Sequence, residues 1–209
     1  MKKQVSVFGL HVRAVLPRLL SAALGLLAVE LILTGVCMIR GTAITLAGSD
    51  LEHALQYPFR AGILALQVLL ASCFGSNSRY GYTLRRLRVS ERCVFLWSCA
   101  CNALCYAVLW CMQIMASVGA AFWNASSARY SAGPQGVFVD FYRSGFLHGL
   151  FPLADGYVWT RNALFVLALG CVTAYMQLGM RRKGSRSWLV CMGLTLLLVL
   201  CLPVQYGAG

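Results

Sequence analysis

Long apolar runs separated by short polar connections dominate this chain. A helical crossing of a bilayer needs about 20 predominantly apolar residues. Five stretches meet or approach that length, approximately Leu19 to Ile39, Ala61 to Gly75, Cys93 to Phe122, Ala163 to Met180 and Ser187 to Val204. The second is short and recruits Tyr57 to Arg60 to complete its length. The pattern therefore predicts an all-α fold, a polytopic transmembrane bundle of about five spans forming a single domain over residues 1–209.

Between the spans the pattern becomes amphipathic. Val5 to Leu20 (VSVFGLHVRAVLPRLL) carries spaced apolar groups interrupted by His11, Arg13 and Arg18. This pattern predicts an interfacial helix over 1–18 that leads into the first span, with Pro17 marking the bend between them. The connection Ser76 to Arg92 (SNSRYGYTLRRLRVSER) holds Arg79, Arg85, Arg86, Arg88 and Arg92 against a single acid, Glu91. At about 100° per residue, Tyr80, Leu84 and Leu87 share a stripe flanked by these cations. That is the pattern of a helix lying flat at a membrane surface. The segment 123–160 is the largest non-spanning piece. Its middle, Val137 to Phe151, is too apolar for a simple solvated loop. Two readings stand: a short helix in the outer interface, or a half-inserted gate for an amphipathic substrate. The gate reading rests on Phe138, Phe141, Phe146 and Phe151.

Composition agrees with the pattern. Charged residues make up 11% of the 209 and apolar residues 59%, which a soluble domain of this size could not solvate. The net charge of +12 is first a topology signal. With the N-terminus inside, Lys2, Lys3, Arg13, Arg18, the five arginines of the 76–92 connection, Arg181, Arg182, Lys183 and Arg186 fall on the cytoplasmic side. Asp50, Glu52, Asp140 and Asp155 fall outside. The positive-inside rule thus predicts an inner N-terminus and an outer C-terminus. Nucleic-acid binding is not expected, because the cations come without an aromatic platform or a soluble domain. The first apolar run outlasts a signal-peptide core and lacks a small-residue cleavage site, so it reads as a span. The absence of organellar targeting features fits a multi-pass protein of a bacterial plasma membrane.

Polar residues within the spans are few. Glu30 is the only acid inside one, at a cost of roughly 2.5 kcal/mol or more unless it is paired, hydrated or protonated. It reads either as a substrate or proton contact, or as a bundle-facing group that meets a polar residue of a partner subunit. Gln67, Asn102, Gln113 and Gln177 are milder cases, and such residues mostly act as interhelical hydrogen-bond glue. The ten cysteines include no CxxC pair and no accompanying histidine, so packing is expected rather than metal or redox chemistry. His11, His53 and His148 are widely separated. No Ser-His-acid set, Walker lysine loop or glycine fingerprint occurs, so neither a catalytic residue nor a bound metal is expected.

Over about the first 120 residues the chain resembles the permeases of ABC exporters of the second type. In that family a stretch like "TLRSLPVSR" follows the second span and forms the coupling helix that docks onto the ATPase subunit. Thr83, Leu84, Arg85, Arg86, Leu87, Arg88, Val89, Ser90, Glu91 and Arg92 occupy the matching positions, with Arg88 in place of the usual proline. The amphipathic N-terminal helix is also similar. Family members usually have six spans and a cytoplasmic C-terminus, against five and an outer end here. The resemblance implies that Arg79, Tyr80 and the matched residues through Arg92 dock a separate ATPase subunit, which holds the ATP and magnesium. It also implies a second permease subunit, identical or not. The cargo expected is hydrophobic or amphipathic, such as a peptide or lipid. The competing expectation is a non-transporting scaffold whose connection binds partners and anionic lipid, each cation contributing about 1 kcal/mol.

Overall fold

The computed structural model describes residues 2–40, 50–73, 82, 90–126, 144–152, 155–181 and 185–200, all in helices or beside them. In chain order these are α1 (Lys2–Arg40), α2 (Asp50–Ser72), α3 (Glu91–Ser126), α4 (Gly145–Leu150), α5 (Gly156–Arg181) and α6 (Ser185–Leu200). The fold is all-helical among the described residues. Four helices are long and apolar enough to cross a membrane, over Phe8–Arg40, Asp50–Ser72, Glu91–Asn124 and Gly156–Met180. The protein is therefore membrane-embedded. The last expected span, Ser187 to Val204, runs past the described residues, within which α6 is apolar over Leu189–Leu200.

The N-terminal region is helical throughout its described length. The expected interfacial stretch and the start of the first span lie in one continuous helix, α1, with Pro17 inside it. Proline removes one backbone N–H, the one that would bond the Arg13 carbonyl. Membrane helices tolerate such a loss where neighbours re-satisfy the freed group. The 33 residues from Phe8 to Arg40 extend about 50 Å at 1.5 Å per residue. The hydrocarbon core is about 30 Å thick, so this helix must tilt or project beyond it.

The chain packs as two units, and each long helix contributes to both. The first comprises Met1–Ala23, Gly62–Leu109 and Ala163–Cys201. Its core includes Val15, Leu66, Leu70, Leu109, Leu169 and Met176. Ala71, Met176 and Cys191 join α2, α5 and α6 in one buried cluster. α3 and α5 approach closely at Gly170, where an added Cβ would lie 2.9 Å from Ala103 Cβ, Ala103 N and Cys99 O. Small residues let membrane helices meet backbone to backbone in this way.

The second unit comprises the described residues of Leu24–Ala61 and Trp110–Asn162. Leu51, Leu55, Phe59, Phe146 and Leu147 are buried in it. Phe59 sits at its centre, with the Trp110 ring at 5.5 Å and the Phe146 ring at 6.3 Å, both edge-on. Large apolar side chains such as Ile39, Met115 and Val190 point outward, which a hydrocarbon solvent accommodates and water does not.

Candidate functional site

In the first unit, buried polar side chains are joined in pairs across helices. Gln67 on α2 donates from Nε2 to Thr195 Oγ1 on α6 at 2.7 Å. The amides of Asn102 on α3 and Gln177 on α5 face each other at 3.3 and 3.4 Å. Gln177 Nε2 also donates to the Leu70 carbonyl of α2 at 3.1 Å. Tyr106 and Thr173 meet through their hydroxyls at 2.9 Å. Each threonine sends its own proton back one turn, Thr173 to Leu169 O and Thr195 to Cys191 O. Such bonds contribute on average about 0.6 kcal/mol each in membrane helices and up to about 1.7. Their combined effect is to fix rotation and depth between neighbouring helices.

α1 is tied into this unit by polar contacts of His11 and Arg18, among others. His11, fully buried, lies with Nε2 2.7 Å from Ser98 Oγ on α3. The Ser98 hydroxyl proton goes to Val94 O, so His11 Nε2 is the donor. Arg18 Nη1 reaches Leu69 O and Ser72 Oγ, both at 3.1 Å. Its cation thus caps the last turn of α2, where orphan carbonyls and the helix dipole favour positive charge.

The second unit is organised around α4, only six residues long. Ser144 is its N-cap: Ser144 Oγ accepts from Leu147 N at 3.3 Å. The Ser144 hydroxyl in turn donates to Glu52 Oε1 at 3.1 Å. The Phe146 amide donates to the same carboxylate oxygen at 2.9 Å. A buried carboxylate from α2 therefore supplements the cap of a helix 92 residues away in the chain. The other end is held as firmly. Trp110 Nε1 donates to Leu150 O at 3.1 Å, Asn162 Nδ2 to Gly149 O at 2.9 Å and Trp159 Nε1 to Pro152 O at 2.7 Å.

Glu30 differs from these groups. It is 2% exposed. The carboxylate faces Gln113 on α3, but neither of its oxygens has a hydrogen-bond partner. Gln113 directs Nε2 to Ser117 Oγ at 3.5 Å, and its Oε1 is also without a partner. A buried polar group in this condition is costly.

Several residues singled out in the sequence lie outside the described residues: Arg79, Tyr80, Thr83, Leu84, Arg85, Arg86, Leu87 and Arg88 of the docking segment, and Phe138 and Phe141 of the gate candidate. Glu91 and Arg92 open α3 and are exposed. The acid in this first turn complements the helix dipole. Phe146 is buried against Phe59, whereas the Phe151 ring packs edge-on against Trp159 at 5.6 Å. Within the first unit Gln67 and Asn102 are tied across helices, and within the second Gln113 accompanies Glu30.

Sequence reasoning did not single out His11 as a buried contact, nor Glu52, Ser144, Trp110 and Asn162 as anchors of α4. Ser144 ahead of a short apolar run is a legible N-cap signal. Its distant carboxylate has no local signature. Among the described residues no group of three or more His, Cys, Asp or Glu comes together in a way that could hold a metal ion. The chain matches no protein-family model, no curated protein and no solved structure.

Proposed function

We propose that this protein is the membrane subunit of a multi-chain ATP-driven transporter of the ABC class, coupled to separate ATPase subunits through residues 79–92 and exporting a hydrophobic or amphipathic substrate such as a peptide or lipid. The observation that carries the reading is the sequence YTLRRLRVSER, set between two long apolar helices, α2 and α3. In the arrangement proposed, the chain crosses a bacterial plasma membrane five times, with its N-terminus inside and this segment on the cytoplasmic face. Leu84 and Leu87 seat the segment on a separate ATPase subunit that binds ATP and magnesium. The arginines meet acidic groups or anionic lipid. A second permease subunit, identical or not, completes the pathway. Glu30, buried without a hydrogen-bond partner, supports a polar contact for substrate within an otherwise apolar bundle.

The scaffold reading draws on a different observation. Gln67, Asn102 and Gln177 are all engaged in holding helices together, as a purely structural membrane subunit requires. One experiment separates the two. The tagged chain is purified in mild detergent from native membranes beside a variant carrying Leu84→Asp and Leu87→Asp. An ATPase subunit that accompanies the wild type and is lost from the folded variant supports the transporter. A well-folded wild type without any ATPase refutes it and leaves the scaffold.

A further inference from the structure

We propose that Glu30 and Gln113 form a binding site for a primary ammonium group, the cationic head of an amphiphilic substrate. This inference rests on the transporter reading in naming a cargo, and its test involves no ATPase. Both residues belong to the second unit, Glu30 on α1 and Gln113 on α3. They are 2% and 1% exposed.

Three acceptor atoms stand here without a hydrogen-bond partner: Glu30 Oε1, Glu30 Oε2 and Gln113 Oε1. The Gln113 amide donor is directed elsewhere, to Ser117 Oγ one turn along α3 at 3.5 Å. The polar side chain facing the carboxylate is Gln113, and no cationic side chain among the described residues pairs with it. Arg40, on the same helix, lies about 15 Å further along the axis. Arg60 and Arg161 line a different cavity, beside Gln56 and Phe59. The site is therefore negative and rich in acceptors. What completes it must bring one positive charge and hydrogen-bond donors.

Donor count selects among cations. A primary ammonium carries three N–H donors, a single charge and no acceptor, which gives one donor to each orphan oxygen. A guanidinium is broader and brings more donors than the site has acceptors. A divalent ion would leave a net positive charge beside a single carboxylate in a poorly polarisable interior. The amphiphile's tail also has a place. Leu33 and Cys37 follow Glu30 on α1 and fall on its side of the helix. With Val36 they form one wall of a groove of about 620 Å³, faced by Ala54, Pro58 and Ala61 of α2. On α1 the groove begins with Leu33, about 4.5 Å along the axis from Glu30. Its charged side chains, Arg40 and Asp50, stand where α1 ends and α2 begins.

The test uses the full chain, purified in a non-ionic detergent. Binding of dodecylammonium, dodecyltrimethylammonium and dodecanol is measured by native mass spectrometry and by the shift in thermal unfolding. Dodecylammonium is expected to bind roughly tenfold or more tightly than its trimethyl analogue, which keeps the charge but has no N–H donor. Dodecanol should not stabilise the protein. Glu30→Gln should weaken dodecylammonium roughly tenfold or more, and Gln113→Leu about fivefold. A second readout needs no variant. Dicyclohexylcarbodiimide joins a carboxyl to an amine with loss of water, so it should couple bound dodecylamine to Glu30, seen as added mass on the peptide that contains it. Equal binding of the trimethyl compound, unchanged binding in a folded Glu30→Gln variant, or coupling at Asp50 without Glu30 would overturn the proposal. A wild type that captures the amine on Glu30 yet brings down no ATPase would keep this site and remove the transporter, so the two readings fail separately.

Discussion

Glu52→Ala offers the sharpest test of how the second unit is held. In the wild type one carboxylate oxygen accepts from Phe146 N at 2.9 Å and from Ser144 Oγ at 3.1 Å. Bonds to a charged acceptor contribute about 1.5–3 kcal/mol each. Removing the carboxylate also relieves the cost of burying it at 8% exposure, so the net loss is smaller than two full bonds, about 2–3 kcal/mol. That loss falls on the docking of α4, because six residues are too few to form a stable helix alone. In local-opening terms it corresponds to roughly 30- to 150-fold faster amide exchange. Hydrogen–deuterium exchange with mass spectrometry, reading peptides over 144–152, measures it directly. Glu52→Gln keeps an acceptor without the charge and should raise exchange only about fivefold. Ser144→Ala alone removes the N-cap, for about 1 kcal/mol. The double variant should fall short of the sum, because the two groups share one network. Exchange over 144–152 within threefold of wild type in Glu52→Ala, or a rise spread evenly over the whole chain, would refute the reasoning.

Two further substitutions probe the first unit. Gly170→Ala places a Cβ 2.9 Å from backbone atoms of Cys99 and Ala103, so helix backbones must separate. It should lower stability by about 1–3 kcal/mol, seen as a lower Tm in detergent, and an unchanged Tm would contradict so close an approach of α3 and α5. Gln177→Leu removes the bonds to Asn102 and Leu70 O and should cost about 1–2 kcal/mol. Adding Asn102→Leu should then recover part of that loss, since no orphaned amide remains. A double variant less stable than Gln177→Leu would refute the pairing.

The helical fold was legible because bilayer thickness imposes a length on every apolar run. Asp50–Ser72 and Glu91–Asn124 both contain runs recognisable at sight. Boundaries were less so. Pro17 looks like a bend in isolation, yet its helix continues, since the cost of one missing N–H is set by neighbours that a local pattern does not contain. Gln67 and Asn102 could be recognised as polar groups in an apolar helix, but their partners Thr195 and Gln177 lie 128 and 75 residues away. His11 falls in a stretch whose spaced apolar groups, interrupted by His11, Arg13 and Arg18, read as interfacial. Its burial against Ser98 depends on the register of α1 beside α3. Glu30 stood out in sequence for its charge alone. That both oxygens lack a partner is a property of the three-dimensional packing.

The indole contacts around α4 have an optical consequence. Two of the five tryptophans, Trp110 and Trp159, give their N–H groups to Leu150 O and Pro152 O. Indole emission responds to hydrogen bonding and to the polarity of its surroundings, and Trp110 is almost wholly shielded. Release of the short helix would free the Trp110 indole from Leu150 O and admit solvent to it. The protein thus contains an intrinsic fluorophore at the anchor of its shortest helix, and the colour of its emission follows that anchor without any added label.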